Sequence, residues 1–376
     1  MKKRKSLLII TLAFILVIFP GCSPSPEQLM SIDYAPLSGR DWEVSTPAKE
    51  GLDPEMVAQL YYDAAKLNSI YGLLIIKNDK LVAEKYFNDG AINLKSNLQS
   101  ATKSYMSALV GIAVDRSCLT NLDQPFLDFF PEYADQIEDP HKEEITIRHL
   151  LQMRAGYPWE ESHPDLWDGL LSGDFLGMMV HYPLISDPGT EFHYSNVSSH
   201  FLAAIVARAC GEDLRIFAEK KLFSPIGAEL GEWYTLDDGY PMGATGMHVT
   251  PRDAAKFGLL YLNDGIFNGK QIISSDWVYA SLQSYSDDPN DPDLKVGRNF
   301  KRVGYGYQWW KIQSGETLYD VALGHGGQQV ALLDEHDMVI VLMVYPYFLE
   351  HNSRAWGDEK ANLNLVSDFI KSLPKE

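Results

Sequence analysis

A serine and a lysine three residues apart, Ser100 and Lys103, have the spacing of a nucleophile and its base. On a helix they lie one turn apart on the same face, so the lysine amine can reach the serine hydroxyl. Residues 104–114 are apolar at helical spacing after a polar segment at 93–99, which predicts that Ser100 begins a helix. The positive end of a helix stabilises developing negative charge and disfavours a charged lysine nearby. By itself the pair also fits a capping serine beside a solvated lysine.

Two further motifs accompany this pair, and each falls between predicted elements. Tyr194 and Asn196 follow a Pro-Gly turn and precede an apolar helical run, and such a loop position suits a functional tyrosine. A Gly-His-Gly-Gly-Gln segment at 324–328 lies between two strand-like runs. Glycines there mark either a bend of the sheet or a close approach of the backbone to a ligand, and both interpretations stay open.

With these motifs in this order, the chain resembles the penicillin-recognising serine hydrolases. The branch that it resembles contains class C β-lactamases, D,D-peptidases, esterases and 6-aminohexanoate-dimer hydrolases. The resemblance covers about residues 40–372 and includes supporting stretches at 145–151, 222–227, 250–258 and 305–310. It implies an α/β (α+β) fold of the β-lactamase/transpeptidase type. Helices would flank an antiparallel sheet, with an inserted all-α region and an active site in the cleft between the two parts.

The resemblance also implies a role for each motif residue. Ser100 is the nucleophile that forms an acyl-enzyme, and Lys103 and Tyr194 share the general-base and general-acid work. Because a tyrosine has a pKa of about 10, it needs a cationic neighbour to act as a base, and Lys103 would supply one. Asn196 orients the lysine or the substrate amide. The oxyanion hole consists of the backbone N–H groups of Ser100 and Gln328.

His325 departs from the pattern of many relatives, which carry a lysine at this position. Lysine is a fixed positive charge that attracts a substrate carboxylate, whereas histidine is mostly neutral at pH 7. With the neighbouring Gly327, His325 is therefore expected to support a substrate that needs no carboxylate. We predict a hydrolase of carboxylic esters, amides or small peptides. The alternatives are a true β-lactamase or D,D-carboxypeptidase and, in another class, a non-catalytic surface-binding lipoprotein of the same fold.

The surrounding pattern predicts the elements that position these residues. The predicted helices at the two ends are 53–66 and 357–371, and the predicted strands are 72–77, 80–86, 305–312, 318–323, 329–334 and 337–344. The first two strands form a hairpin around an Asn78-Asp79 turn. We therefore predict one hydrolase domain, 41–376, whose α/β part comes from residues 41–114 and 241–376 and whose helical part is 115–240.

Residues 1–22 have the pattern of an export signal. Lys2 to Lys5 are basic, Leu7 to Phe19 form an apolar run too short for a comfortable membrane span, and Gly21-Cys22 follows. This segment looks like a bacterial lipoprotein signal that is cut before Cys22, whose thiol would carry the lipid, with 23–40 as a tether. Simple secretion and an uncleaved anchor are the alternatives. Each of them places the body outside the cytoplasm, and the expected membrane contact is through the N-terminal anchor only.

Charge and composition narrow the expected partners. The net charge of −19 at pH 7 repels phosphates, which argues against nucleic acid, so the expected partner is a small ester, amide or peptide. The sequence contains no H-E-x-x-H motif, and we expect neither a metal nor a cofactor. Cys118 and Cys210 are expected as small buried side chains, and a disulfide between them stays open for an exported protein.

Overall fold

The computed structural model describes residues 24–37, 41–162, 175–287, 297–347 and 350–375. The predicted signal with its lipidation residue Cys22 lies outside the described residues, and so do positions 23 and 38–40 of the predicted tether. Within the ranges that the structure describes, no helix combines the length and the apolar character that a membrane crossing requires.

Helices dominate the middle of the chain and recur near both of its ends. The helices are α1 (Pro26–Met30), α2 (Pro54–Ala64), α3 (Thr102–Asp115), α4 (Ile147–Leu151), α5 (Phe175–His181), α6 (Asn196–Cys210), α7 (Leu214–Ala218), α8 (Pro251–Leu262), α9 (Ser275–Leu282) and α10 (Ser353–Ser372). Short 3₁₀ turns connect several of them, and one of these turns, Gln99–Ala101, leads directly into α3.

The strands come from two separate stretches of the chain. They are β1 (Ile70–Lys77), β2 (Lys80–Tyr86), β3 (Ser96–Asn97), β4 (His248–Val249), β5 (Ile266–Phe267), β6 (Lys270–Gln271), β7 (Ser286–Asp287), β8 (Lys301–Tyr305), β9 (Trp310–Ser314), β10 (Thr317–Gly324), β11 (Gln328–Leu333) and β12 (Met338–Val344). Eight of them form one antiparallel sheet in the order β2-β1-β12-β11-β10-β9-β8-β7. Because β1 pairs with β12, the sheet joins early and late parts of the chain, and the predicted α+β fold class is confirmed.

Strand β12 shows why the sheet supports a core on each side. Val339 and Val341 join the cluster formed with α3, α6 and α8, whereas Ile340 and Leu342 join the cluster formed with α2 and α10. Alternate residues of a strand point to opposite faces, so a strand between two cores must be apolar throughout. All seven residues of β12 are buried, in keeping with its unbroken apolar sequence.

The predicted hairpin at 72–86 is confirmed, and its turn residues explain why the sequence predicts it so accurately. Asn78 and Asp79 have φ angles of 49° and 63°. Two successive left-handed residues match the right-handed twist of the strands that they join, and Asn and Asp tolerate this conformation better than most residues. Helix α10 begins four residues before the predicted start, because the Asn352 side chain accepts hydrogen bonds from the backbone N–H groups of Arg354 and Ala355.

The predicted strand at 305–312 is wrong. Strand β8 ends at Tyr305 and β9 begins at Trp310, with a turn between them in which Gln308 has a φ of 63°. The Gln308 side chain is buried, and its Nε2 donates to the carbonyl oxygens of Leu150 and Leu151, each at 3.0 Å. Contacts with a distant segment therefore hold a turn where the local sequence resembles a strand.

The two cysteines of the helical region are bonded to each other. Cys118, just beyond α3, and Cys210, the last residue of α6, form a disulfide with a Cα–Cα distance of 5.0 Å. Both are only half-buried, so the expectation of two small buried side chains is wrong and the open alternative is the observed one. The disulfide fastens the end of α6 to the end of α3, the helix that follows Ser100.

Candidate active site

A tightly held turn presents Ser100 at the start of α3. The Asn97 side chain accepts from the backbone N–H of Gln99 at 2.8 Å, and the Leu98 N–H donates to the Met247 carbonyl at 2.9 Å. Gln99 has a left-handed φ of 50°. Ser100 lies in the 3₁₀ turn that these bonds fix, one residue before the last residue of that turn, and the α-helix proper begins at Thr102.

Lys103 reaches Ser100 from the first turn of α3. Its Nζ lies 3.0 Å from Ser100 Oγ, 2.8 Å from Asn196 Oδ1 and 3.0 Å from the Ala244 carbonyl oxygen. The side chain is 1% exposed. Burial lowers the pKa of Lys103 to about 8, and the carboxylates of Glu161 and Glu160 partly oppose this shift.

The partners of Lys103 suit an uncharged amine. The Asn196 and Ala244 oxygens only accept hydrogen bonds. A neutral amine has two N–H bonds and one lone pair, so two donated bonds leave the lone pair for the Ser100 hydroxyl. This is the arrangement in which a lysine can remove a proton from a serine.

Tyr194 contacts both Lys103 and Ser100. Lys103 Nζ lies 4.8 Å from the centre of its ring, and the Tyr194 and Ser100 side chains are in hydrogen-bond contact. The ring stacks on Trp310, with centroids 5.6 Å apart. Burial raises the pKa of Tyr194 above its ordinary value, and the bond to Ser100 opposes the shift without cancelling it. Tyr194 is therefore suited to donate a proton, whereas the structure offers little support for the expected role as a base.

A buried carboxylate, that of Glu160, fixes the Tyr194 loop. Glu160 accepts from the Ser195 hydroxyl at 2.7 Å, from the Asn196 N–H at 2.8 Å and from the Val197 N–H at 3.0 Å. These N–H groups belong to the first turn of α6, where a negative charge is favoured. Glu160 is fully buried, so it anchors the loop and does not open into the cavity.

His325 is held by acceptors on both ring nitrogens. Nδ1 lies 2.7 Å from Glu359 Oε2, and Nε2 lies 3.1 Å from the Glu350 carbonyl oxygen. Since neither partner can donate, both nitrogens must carry hydrogen for both bonds to form. Burial would lower the pKa of His325, but Glu359 outweighs it and the pKa is raised. These contacts favour the protonated form more than the sequence-based expectation of a mostly neutral histidine did, and the Glu359 carboxylate balances the charge of an imidazolium at this position.

The turn that contains His325 is fixed by helix α10. Glu359 Oε2 also accepts from the Gly326 N–H at 2.8 Å, and Asn362 Nδ2 donates to the Gly326 carbonyl at 2.8 Å. Glu359 and Asn362 are three residues apart and so share one face of α10. Gly327 packs on the same helix, where a Cβ would lie 2.7 Å from the Asn362 Cβ. Because Gly327 has no side chain, the turn can pack closely against α10.

Gln328, whose backbone N–H was expected in the oxyanion hole, is not among the described residues that line the cavity beside Ser100. Its side chain is fully buried, donates to the Val344 carbonyl at 2.8 Å and accepts from the Val344 N–H at 2.9 Å. Among the described residues it is Gly324, at the end of β10, that lines the cavity beside Ser100. A Cβ on Gly324 would lie 2.2 Å from the Leu98 carbonyl oxygen, so only glycine lets β10 approach the Ser100 turn this closely.

A narrow cavity of about 60 Å³ joins these groups. Its described lining residues are Ser100, Trp159, Glu161, Tyr194, Arg302, Trp310, Leu323, Gly324, His325, Trp356 and Glu359. Of the two adjacent tryptophans in 309–310, Trp310 faces the cavity and Trp309 packs in the core on the other side of the sheet.

Three lining residues were missed because their sequence context carries no local signal. Arg302 lies on β8 with its guanidinium 4.4 Å from the Trp310 ring centre. Trp356 and Glu359 belong to α10. Their role depends on how distant segments pack. In the described ranges, no cluster of three or more His, Cys, Asp or Glu residues is arranged to hold a metal ion.

Comparison with known proteins agrees with this geometry. The family model described as Beta-lactamase matches residues 69–345, well over half of the chain. The 6-aminohexanoate-dimer hydrolase of Paenarthrobacter ureafaciens is 25% identical over 283 residues, which cover 71% of this chain and 70% of that protein.

Solved structures share the fold at low sequence identity. The octameric penicillin-binding protein homologue from Pyrococcus abyssi superposes with a TM-score of 0.61 at 17% identity, covering 84% of this chain and 77% of the other. The penicillin binding protein from Bacillus halodurans gives a TM-score of 0.60 at 18% identity, covering 82% and 99%. Both likenesses bear on the fold alone.

Proposed function

The chain belongs to the beta-lactamase family, and from this premise we propose that it is an exported serine hydrolase that forms an acyl-enzyme through Ser100. Family membership supports hydrolase activity in general. The observation that carries the proposal is the 3.0 Å contact between Lys103 Nζ and Ser100 Oγ, with acceptors on the other two sides of the amine. We propose carboxylic esters, amides or small peptides as substrates.

Acylation begins when neutral Lys103 takes the proton of the Ser100 hydroxyl as Oγ attacks the substrate carbonyl carbon. Negative charge then develops on the carbonyl oxygen. The proposed donors to this oxygen are the Ser100 N–H and a backbone N–H at the end of β10, because Ser100 and Gly324 both line the cavity. The phenol of Tyr194 protonates the leaving group and recovers a proton from Lys103, which leaves an ester on Ser100.

Deacylation uses Lys103 again as the base. A water molecule attacks the ester carbonyl while neutral Lys103 accepts its proton, and the Ser100 oxygen leaves and takes that proton from Lys103. The three tryptophans in the cavity wall, Trp159, Trp310 and Trp356, limit the space around the acyl group. A compact acyl group therefore fits better than a bulky one.

Intact-protein mass spectrometry tests this proposal. We expect p-nitrophenyl acetate to add one acetyl group to the wild type, or to release p-nitrophenol if deacylation is fast, and Ser100→Ala to do neither. Lys103→Met should slow acylation to near the background rate. Full turnover by folded Ser100→Ala would overturn the assignment of the nucleophile.

One observation favours a second candidate, a β-lactamase or D,D-carboxypeptidase. The Arg302 guanidinium lines the cavity and lies beside Tyr194, whose pKa it lowers by its charge. Such a cation could bind a substrate carboxylate. A Ser100-dependent penicillin adduct that Arg302→Gln slows more than tenfold, with acetyl transfer from p-nitrophenyl acetate unchanged, would support this candidate. Absence of any penicillin adduct or product would reject it.

Export and lipid attachment at Cys22 also belong to the proposal. The bonded pair Cys118–Cys210 supports an oxidising compartment, because cytoplasmic thiols are normally kept reduced. In the native host, the protein should fractionate with membranes, and mass spectrometry of its N-terminal peptide should show a chain that begins at Cys22 and carries lipid. A membrane-bound chain that still contains residues 1–21 would argue for an uncleaved anchor.

A further inference from the structure

A line of three hydrogen bonds leads from Glu161 to the nucleophile. Asn196 Nδ2 donates to Glu161 Oε1 at 3.2 Å, Lys103 Nζ donates to Asn196 Oδ1 at 2.8 Å, and Lys103 meets Ser100 at 3.0 Å. We propose that Glu161 is a positioning residue of the reaction, which fixes the amide of Asn196 so that its oxygen faces Lys103. The inference rests on the proposed acylation of Ser100.

The direction of the Asn196 amide decides how Lys103 uses its lone pair. An asparagine side chain has an oxygen end and an NH₂ end of nearly equal shape, so its partners set the orientation. A carboxylate only accepts hydrogen bonds, and Glu161 therefore holds the NH₂ end. If the amide were reversed, its NH₂ group would face Lys103 and compete with Ser100 for the lone pair of the amine.

The backbone around Glu161 is well anchored. Its neighbour Glu160 is tied to the first turn of α6 by three hydrogen bonds, so Glu161 follows directly from a fixed point. The Glu161 side chain is 22% exposed and lines the cavity. Glu161 thus combines a fixed backbone with a side chain that reaches the cavity, and a residue that orients another side chain requires both.

Glu161 also acts on Lys103 through its charge. Among the described residues, the charged or titratable groups facing Lys103 are Glu161, Glu160 and Tyr194. Those facing Glu161 include His351, whose Nδ1 lies 4.0 Å from Oε2. Because the Glu161 carboxylate raises the pKa of Lys103, its neutralisation should lower that pKa further and leave more neutral amine at acidic pH.

Two substitutions separate orientation from charge. In Glu161→Gln the amide oxygen can still accept from Asn196, so the geometry persists and only the charge is lost. In Glu161→Ala both are lost. Glu229→Gln is the matched control, because Glu229 is 82% exposed and pairs with Lys95 away from the cavity.

The experiment measures single-turnover acylation by p-nitrophenyl acetate from pH 5.5 to 10 in the full chain. We expect Glu161→Gln to keep the plateau rate within about twofold and to move the rise in rate to lower pH. Glu161→Ala should lose about tenfold at the plateau, the value of one oriented hydrogen bond. The Glu229→Gln control should match the wild type in both respects.

A second readout needs no turnover. NMR of ¹³Cε-labelled lysines, with the Lys103 signal assigned by Lys103→Met, should show a lower pKa for Lys103 in Glu161→Gln. The inference is overturned if that pKa is unchanged and Glu161→Ala acylates like the wild type. If wild type and Ser100→Ala acylate equally, the proposed function fails instead, and the titration of Lys103 alone decides the role of Glu161.

Discussion

The rate of Ser100 acylation should rise about tenfold between pH 7 and pH 9. Lys103 must be neutral to accept the serine proton, and burial places its pKa at about 8. The neutral fraction is then about 9% at pH 7, half at pH 8 and about 90% at pH 9. Because neutral lysine is the active form, the rate rises with pH, and because burial lowers the pKa the rise is centred at about pH 8 instead of above pH 10.

Tyr194 should add no second rise in this range. Burial holds its pKa above the ordinary value, so the phenol stays protonated from pH 6 to 10. A single ionisation that belongs to Lys103 should therefore describe the whole acidic side of the profile. This separates a lysine base from a tyrosinate base, which would give a rise at much higher pH.

The assay is stopped-flow release of p-nitrophenol from p-nitrophenyl acetate under single-turnover conditions, followed at the isosbestic wavelength of the product. Rates in Lys103→Met give the baseline, and circular dichroism confirms that this variant is folded. A rate that changes less than twofold between pH 7 and pH 9 would refute the reasoning. So would a rise that persists unchanged in Lys103→Met.

Other contacts lead to three more expectations. Arg252→Met should cost about 3–5 kcal/mol of unfolding free energy in urea, because it leaves the fully buried Glu84 carboxylate without its bidentate partner. Adding Glu84→Gln to this variant should recover part of the loss, and a double variant with no recovery would contradict the explanation. Replacing both cysteines of the disulfide by serine should lower the free energy of unfolding by about 4–5 kcal/mol, since the bond joins residues 92 apart. The reduced wild type should be destabilised to the same extent, and a urea midpoint that reduction leaves unchanged would contradict this expectation. Glu359→Ala should lower kcat about tenfold, because the turn that contains His325 loses a hydrogen bond, and it should lower the pKa of His325. Proton NMR measures that pKa, and an unshifted titration of His325 would contradict its pairing with Glu359.

The elements that sequence predicted well are those whose signals are local. The hairpin at 70–86 could be predicted from two neighbouring strand-like runs and from two residues between them that tolerate a left-handed turn, Asn78 and Asp79. The Ser100–Lys103 pair was recognisable because a helix fixes the distance between residues three apart. In each case the geometry depends on neighbours in the chain.

The parts that sequence could not supply depend on contacts between distant segments. Nothing near Gln308 reveals that the carbonyl groups of α4 will hold it in a turn. The choice between Gly324 and Gln328 at the cavity is a matter of strand register, and neighbouring residues of a glycine-rich turn look equivalent in sequence. The disulfide joins helix ends whose meeting only the fold determines.

Attachment of the 325–327 turn to α10 has a consequence for biosynthesis. Ser100 and Lys103 are synthesised well before Glu359 and Asn362, which fix the turn opposite them. Strand β1 likewise waits for β12 before the sheet can close. A nascent chain thus carries its nucleophile without a completed site until α10 has been made. Hydrolytic activity should appear only after α10 has emerged from the ribosome and packed against the turn.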